Sequence, residues 1–299
     1  MTDRPPGHIV ALMGLGILGV STAAPLIKAA AAPALAIAFW RMALASGVLL
    51  PFAAARRERV ALGRRELRLT VMAGLLLGAH FAAFVPSVTL TTVASAVALV
   101  TMQPAWAALF ERLRGARVRA ATWSGIALSI AGALLLSGVD LSVSPRALAG
   151  DGLALAGGAL AAGYRVLGAD VRRTVSTTAY TSVCYPVAAA ALLAVCLVSG
   201  QRLGGYDAAT WARLGALAVL AQLLGHSVFN LVVKSVGATM VSLALLFEVV
   251  GASVLAAVFL GERPPAAAVP AAVVILAGIW IVVRTREGDL AVGGVPPVD

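Results

Sequence analysis

A chain of 299 residues that is 61% hydrophobic and 12% charged, with mean hydropathy +0.96, is too apolar for a soluble globular domain. Abundant Ala and Gly suit close helix–helix packing in lipid, so the composition predicts an all-α integral membrane protein. A net charge of +10 invites nucleic acid as a partner, but topology explains it below, and no nucleic acid is expected.

Uncharged runs long enough to cross the hydrocarbon layer give ten predicted spans. They cover about 8–28, 33–55, 67–87, 91–112, 120–138, 150–168, 176–198, 210–232, 238–260 and 266–284. The first run is read as a retained span, since its basic flank is too weak for a signal peptide. Pro33 opens span two, where its missing N–H costs nothing. Pro86 and the polar group Thr89, Thr91 and Thr92 mark the hairpin between spans three and four. Pro104 and Pro186 lie inside spans and are expected to kink them. No loop or tail is long enough for a soluble domain. Cys184 and Cys196 sit in apolar sequence at no metal or redox spacing, so neither metal nor other cofactor is expected.

Lysine and arginine set the orientation. With the N-terminus cytoplasmic, seventeen of the 23 basic residues fall in inner segments, Arg165, Arg172 and Arg173 among them, and five in outer segments, while Arg41 lies within span two. Both termini are therefore expected inside the cell, at the inner membrane. Trp123, Trp211 and Trp280 fall towards span ends as interface anchors do; Trp40 and Trp106 do not.

A single offset of 146 superposes His80 on His226, Gly115 on Gly261, Arg117 on Arg263, and Ala131-Gly132 on Ala277-Gly278. Residues 1–140 and 141–299 thus read as two copies of a five-helix unit. An odd number of spans makes the second copy enter the membrane from the opposite side. Inverted repeats of this kind are typical of secondary transporters, whose site lies near the midplane between the halves.

Ser21 to Lys28 (STAAPLIK), Ala38 to Arg41 (AFWR), His80 to Ser87 (HFAAFVPS), Val93 to Pro104 (VASAVALVTMQP) and Phe247 to Arg263 (FEVVGASVLAAVFLGER) occur in this order along nearly the whole chain. In these segments the protein resembles the EamA-domain branch of the drug/metabolite transporter superfamily. The resemblance implies ten helices in two inverted halves, with helices 1–4 and 6–9 around a central cavity and helices 5 and 10 at the periphery. It also implies export of amino acids or other small metabolites. Two departures stand out. Val249 occupies the place after Glu248 where the family often has Pro, and Gly115-Ala116 replaces the Gly-Glu of the first-half hairpin.

Glu248 is the leading candidate for function, because it divides an uncharged run near its middle. A carboxyl at the bilayer centre costs about 2.5–3.5 kcal/mol, and such groups usually face a cavity or a partner. It either carries protons or binds a substrate ammonium, or else holds two helices together in protonated form. The repeat places it within one residue of Gln103. His80 and His226 are repeat-equivalent; His80 is either a cavity-lining proton relay or a packing residue, and His226 likewise. Arg41, beside Trp40, either binds a carboxylate through its fork of donors or serves as a structural ion pair with Glu248. Ser21, Thr22, Ser95, Thr101, Tyr164, Asn230 and Ser242 are polar points on apolar faces, suited to lining a cavity or to helix–helix hydrogen bonds. Trp106, Phe81, Phe84 and Tyr164 are candidates for an aromatic-lined pocket.

These residues point to a secondary transporter for small metabolites, with the lipid bilayer, a small solute and protons as partners, acting as a monomer or homodimer. The competing classes are a membrane-embedded lipid enzyme and a non-transporting assembly or sensor subunit. An enzyme would need a nucleophile–base pair or a metal cluster, and no H-E-x-x-H, G-x-S-x-G or P-loop motif is present. A sensor would have no use for Glu248, His80 and Arg41 in lipid. No ATPase motif occurs, so an ion gradient or the solute's own gradient must drive transport.

Overall fold

The computed structural model describes the backbone of residues 7–55, 62–113, 115, 118–263, 266 and 268–292. Side chains at 52, 55, 111, 133–134, 136–143, 233–243, 246, 268 and 286–292 lie outside the description. The elements are α1 (Gly7–Ser21), α2 (Ala23–Ala29), α3 (Ala34–Ala55), α4 (Arg64–Leu90), α5 (Val93–Val100), α6 (Gln103–Leu113), α7 (Ala120–Val143), α8 (Pro145–Val171), α9 (Thr177–Val198), α10 (Ala208–Ala216), a π-helix (Leu217–His226), α11 (Ser227–Leu260) and α12 (Ala268–Val292). Seven helical stretches are long and apolar enough to cross a membrane, and three shorter apolar helices cover 120–132, 247–260 and 269–285. They make the ten passes of two inverted five-helix repeats.

Local chemistry sets where these helices begin and break. Thr92, Ser144, Ser176 and Asp207 each accept a hydrogen bond from a backbone N–H three residues on, and so cap α5, α8, α9 and α10. Gly261, at φ 64°, supplies the left-handed cap that ends α11. The first pass breaks at Thr22, three residues before Pro25, and the fourth breaks at Thr101–Met102, ahead of Pro104. Each proline lacks an N–H and crowds the carbonyl four residues back. The helix carrying Glu248 has Val249 instead, and no break occurs at that position. Pro86 and Pro186 are carried within α4 and α9 without a break, and the hairpin expected at Pro86 turns at Thr91–Thr92.

Spans eight and nine hold a surprise. Helical bonding continues without interruption through α11, where a loop was expected after residue 232. Gly225 nevertheless abuts Val20, and Gly251 abuts the next residue, Ser21. A straight helix would set these glycines about 39 Å apart, so the path doubles back between them and forms two passes.

Helices α7 and α12 pack along a seam of small residues. A Cβ on Gly125 would lie 2.7 Å from the Gly278 carbonyl oxygen, and one on Gly132 would lie 3.1 Å from that of Ala271. Ser129 faces Ile275 between them. Under the 146-residue offset, Gly125 corresponds to Ala271, Ser129 to Ile275 and Gly132 to Gly278. The contacts are therefore reciprocal, as a two-fold axis requires. The repeat read from sequence is a real pseudo-symmetry of the fold.

Candidate functional site

The core of the site is Arg41, eight residues into α3 and fully buried. Its Nε donates to Oε1 of Gln222 at 2.9 Å, and its guanidinium carbon stands 4.2 Å above the Phe81 ring. Among the described residues its Nη1 and Nη2 have no hydrogen-bond partner. Gln222 comes from the π-helix, where the extra residue per turn swings side chains off the α-helical register. Ser227 Oγ donates to the Gln222 carbonyl oxygen at 3.2 Å, five residues back, and lies 3.4 Å from the Tyr185 hydroxyl. Spans two and three thus meet spans seven and eight at one polar cluster.

Glu248 and Arg165 complete this cluster. Both Arg165 and Arg41 interact electrostatically with Glu248. Sequence reading had counted Arg165 with the basic residues flanking span six, but α8 runs on to Val171, which puts it more than a turn inside. Gln222, Tyr185 and Arg165 were all missed. Only Arg165 left a sequence signal, a charge within the predicted 150–168 run.

The two histidines differ. His80 is buried and lies 2.9 Å through Nδ1 from the Gly157 carbonyl oxygen, which can only accept, so Nδ1 carries the proton. Its ring stacks on Phe84 with centroids 5.7 Å apart. His226 ends the π-helix and meets the other side of the cluster, edge-on to Phe81 at 6.3 Å. Arg41 and Arg165 both act on it.

The remaining candidates scatter. Tyr164 stacks on Tyr180 at 6.4 Å, with Asn230 close by. Ser21 is buried against Gly251, where spans one and nine touch. Gln103 and Trp106 sit on α6, each with a buried polar atom unpartnered (Oε1 and Nε1), and Trp106 stacks on Phe110. Ser95 accepts from the Thr92 hydroxyl at 2.9 Å in the α5 cap, while Thr101 bonds the Ala98 carbonyl oxygen. Thr22 likewise bonds the Gly19 carbonyl oxygen. The four aromatics proposed as one pocket divide among Arg41–Phe81, His80–Phe84, Tyr164–Tyr180 and Trp106–Phe110 contacts. Trp40 lies towards the face away from the N-terminus, donating to the Leu203 carbonyl oxygen at 2.9 Å and packing edge-on to Trp211. The side chain of Ser242 lies outside the described residues.

At that distal face, Lys28 Nζ pairs with Glu262 Oε2 at 2.8 Å and donates to the Thr91 carbonyl oxygen at 2.9 Å. The other oxygen of Glu262 accepts from Val93 N, at the start of α5, at 2.6 Å. A carboxylate is well placed at a helix N-terminus. This clasp ties spans one and four of the first repeat to span nine of the second.

Among the described residues no group of three or more His, Cys, Asp or Glu could hold a metal ion. Residues 5–138 and 148–284 match the model of the EamA-like transporter family. A solved crystal structure is similar in fold, with a TM-score of 0.63 and 20% identity over 92% of this chain and 96% of that one. No curated protein matches the chain.

Proposed function

Because the chain belongs to the EamA-like transporter family, as a multi-pass membrane protein, we propose that it is a secondary transporter moving amino acids or related small metabolites out of the cell. The two repeats exchange conformations to expose one site alternately to either side of the inner membrane, with both termini cytoplasmic. The observation that carries this reading is the cluster of Arg41, Phe81, Gln222, Arg165 and Glu248, to which both repeats contribute. Intramembrane ionisable groups are costly and are found where a solute or ion passes. The broken first and fourth passes and the π-helix add irregular backbone of the kind that lines transporter sites.

Protons are the coupling ion in this reading. Glu248 exchanges one as the site changes sides, and His80 Nε2 is available as a second carrier. The test is uptake of a labelled amino-acid and organic-acid panel into proteoliposomes, with and without a pH gradient, for the wild type and Glu248→Gln. Uptake that responds to the gradient only in the wild type is the expected result. Gradient-insensitive uptake in both would overturn proton coupling, and no uptake of any solute would overturn the transport reading.

A further inference from the structure

The charge inventory of the cluster restricts its solute. Arg41 is satisfied on one edge alone: Nε is bonded to a neutral amide, and the guanidinium face rests on an aromatic ring. Nη1 and Nη2, the pair of parallel donors that fits a planar carboxylate, are buried and unpartnered among the described residues. Glu248 interacts electrostatically with both Arg41 and Arg165, yet takes no hydrogen bond from Nη1 or Nη2 of Arg41.

Other described acids on the neighbouring helices are engaged elsewhere or lie far off. Asp170 pairs with Arg65 at 2.7 Å near the end of α8, and Glu262 pairs with Lys28 at the distal face. Asp151 lies on α8 fourteen residues from Arg165, about 21 Å along the axis. Residues 233–243 and 246, whose side chains are not described, include one base, Lys234, and no acid in the sequence. Among the described residues the cluster therefore sets two guanidinium groups, Arg41 and Arg165, against one carboxylate, Glu248. His80 and His226 face it too, and protonating either would only add positive charge.

An uncompensated charge removed from water is unfavourable, and an opposite charge with matching hydrogen bonds relieves it. A zwitterion leaves the excess of one positive charge unchanged, and a cation worsens it. A dianion such as a phosphate monoester overshoots. Resting on the transport reading above, we infer that the solute bound here is a net monoanion whose carboxylate accepts from Nη1 and Nη2 of Arg41, while Glu248 stays with Arg165. Among amino-acid-related metabolites this selects acidic amino acids and N-acyl, hydroxy or keto acids over neutral amino acids.

The test uses the purified full-length protein and two shape-matched series: 3-phenylpropionate, phenylalanine and phenethylamine; and 4-methylpentanoate, leucine and isoamylamine. Binding is read by the thermal shift each produces, and transport is read separately in proteoliposomes. The monoanion of at least one series is expected to bind at least tenfold more tightly than its zwitterion, with the amine weakest. Arg41→Gln is expected to remove that preference, whereas Glu248→Gln, which frees Arg165, strengthens anion binding. The ranking in the wild type stands as a test even if Arg41→Gln fails to fold. Zwitterions binding as tightly as monoanions, anion binding indifferent to Arg41→Gln, or no monoanion binding at all would each overturn the assignment. Anion binding without transport of any solute would instead overturn the transport reading and leave the anion site in place.

Discussion

Ser129 Oγ lies 3.4 Å from the carbonyl oxygen of Ile275, and the two residues occupy the same position of the repeat, 146 apart. The pseudo-two-fold axis passes between them, through a seam that tolerates no added bulk. A Cβ on Gly278 would sit 2.6 Å from both the Gly125 carbonyl oxygen and the Ser129 backbone nitrogen. Gly278→Leu is therefore expected to cost about 1–3 kcal/mol through overpacking and to lower the melting temperature in detergent. Gly14→Ala, where an added Cβ meets nothing within 4 Å, serves as the control and should melt like the wild type.

The clasp at the distal face gives a second prediction. The Lys28–Glu262 pair is half-buried and joins the two repeats, and losing it should weaken closure of that face by about 1 kcal/mol, or about fivefold in the open population. Glu262→Gln, combined with Ser21→Cys as a buried reporter, should raise the rate of labelling by an impermeant maleimide from that side. An unchanged rate would show that the pair does not hold the face shut.

Pro104 breaks the fourth pass at Thr101–Met102. Pro104→Ala restores the missing N–H and lets one helix continue, as it does at Val249. The expected outcome is a higher melting temperature together with at least several-fold slower transport in proteoliposomes. A gain in stability with transport intact would mean that the break is not used.

Gln222 is the sole side chain hydrogen-bonded to Arg41 among the described residues. Gln222→Leu removes a hydrogen bond to a buried charge, worth about 1.5–3 kcal/mol, and should lower the melting temperature accordingly. Gln222→Glu instead supplies the missing negative charge. It should fold well yet abolish the thermal shift caused by monoanions, a combination that a purely structural glutamine would not produce.

Much of the fold was legible because hydrophobic length and charge are coarse signals. Ten apolar runs and one offset gave the passes and the pseudo-symmetry, since lipid demands an apolar stretch whatever the packing. Pro104 showed its break in advance, whereas Pro186, expected to kink its span in the same way, is carried within α9. The site was harder to read. Arg41, His80 and Glu248 stood out because charge and imidazole are rare in lipid. Gln222 did not, because its approach to Arg41 depends on a π-helical register that hydrophobic periodicity does not encode. Arg165 was misplaced because positive charge near a span end is ordinarily a topology signal, and only the extent of α8 shows that it is inside. Trp40 shows a further limit: the 199–207 loop folds in to meet a residue two turns into its helix, a contact that span boundaries do not encode.

The clasp also has no twin. Under the repeat offset Lys28 corresponds to Thr174 and Glu262 to Ala116, so the pair that fastens the distal face has no counterpart ionic partners at the N-terminal face. Two inverted copies of one unit would, on their own, form a balanced seesaw with no preferred side. A weight on one arm settles it. In the proposed alternating cycle this weight favours the state with the distal face closed, and Ala116 against Glu262 is one of the differences between the copies that produce it.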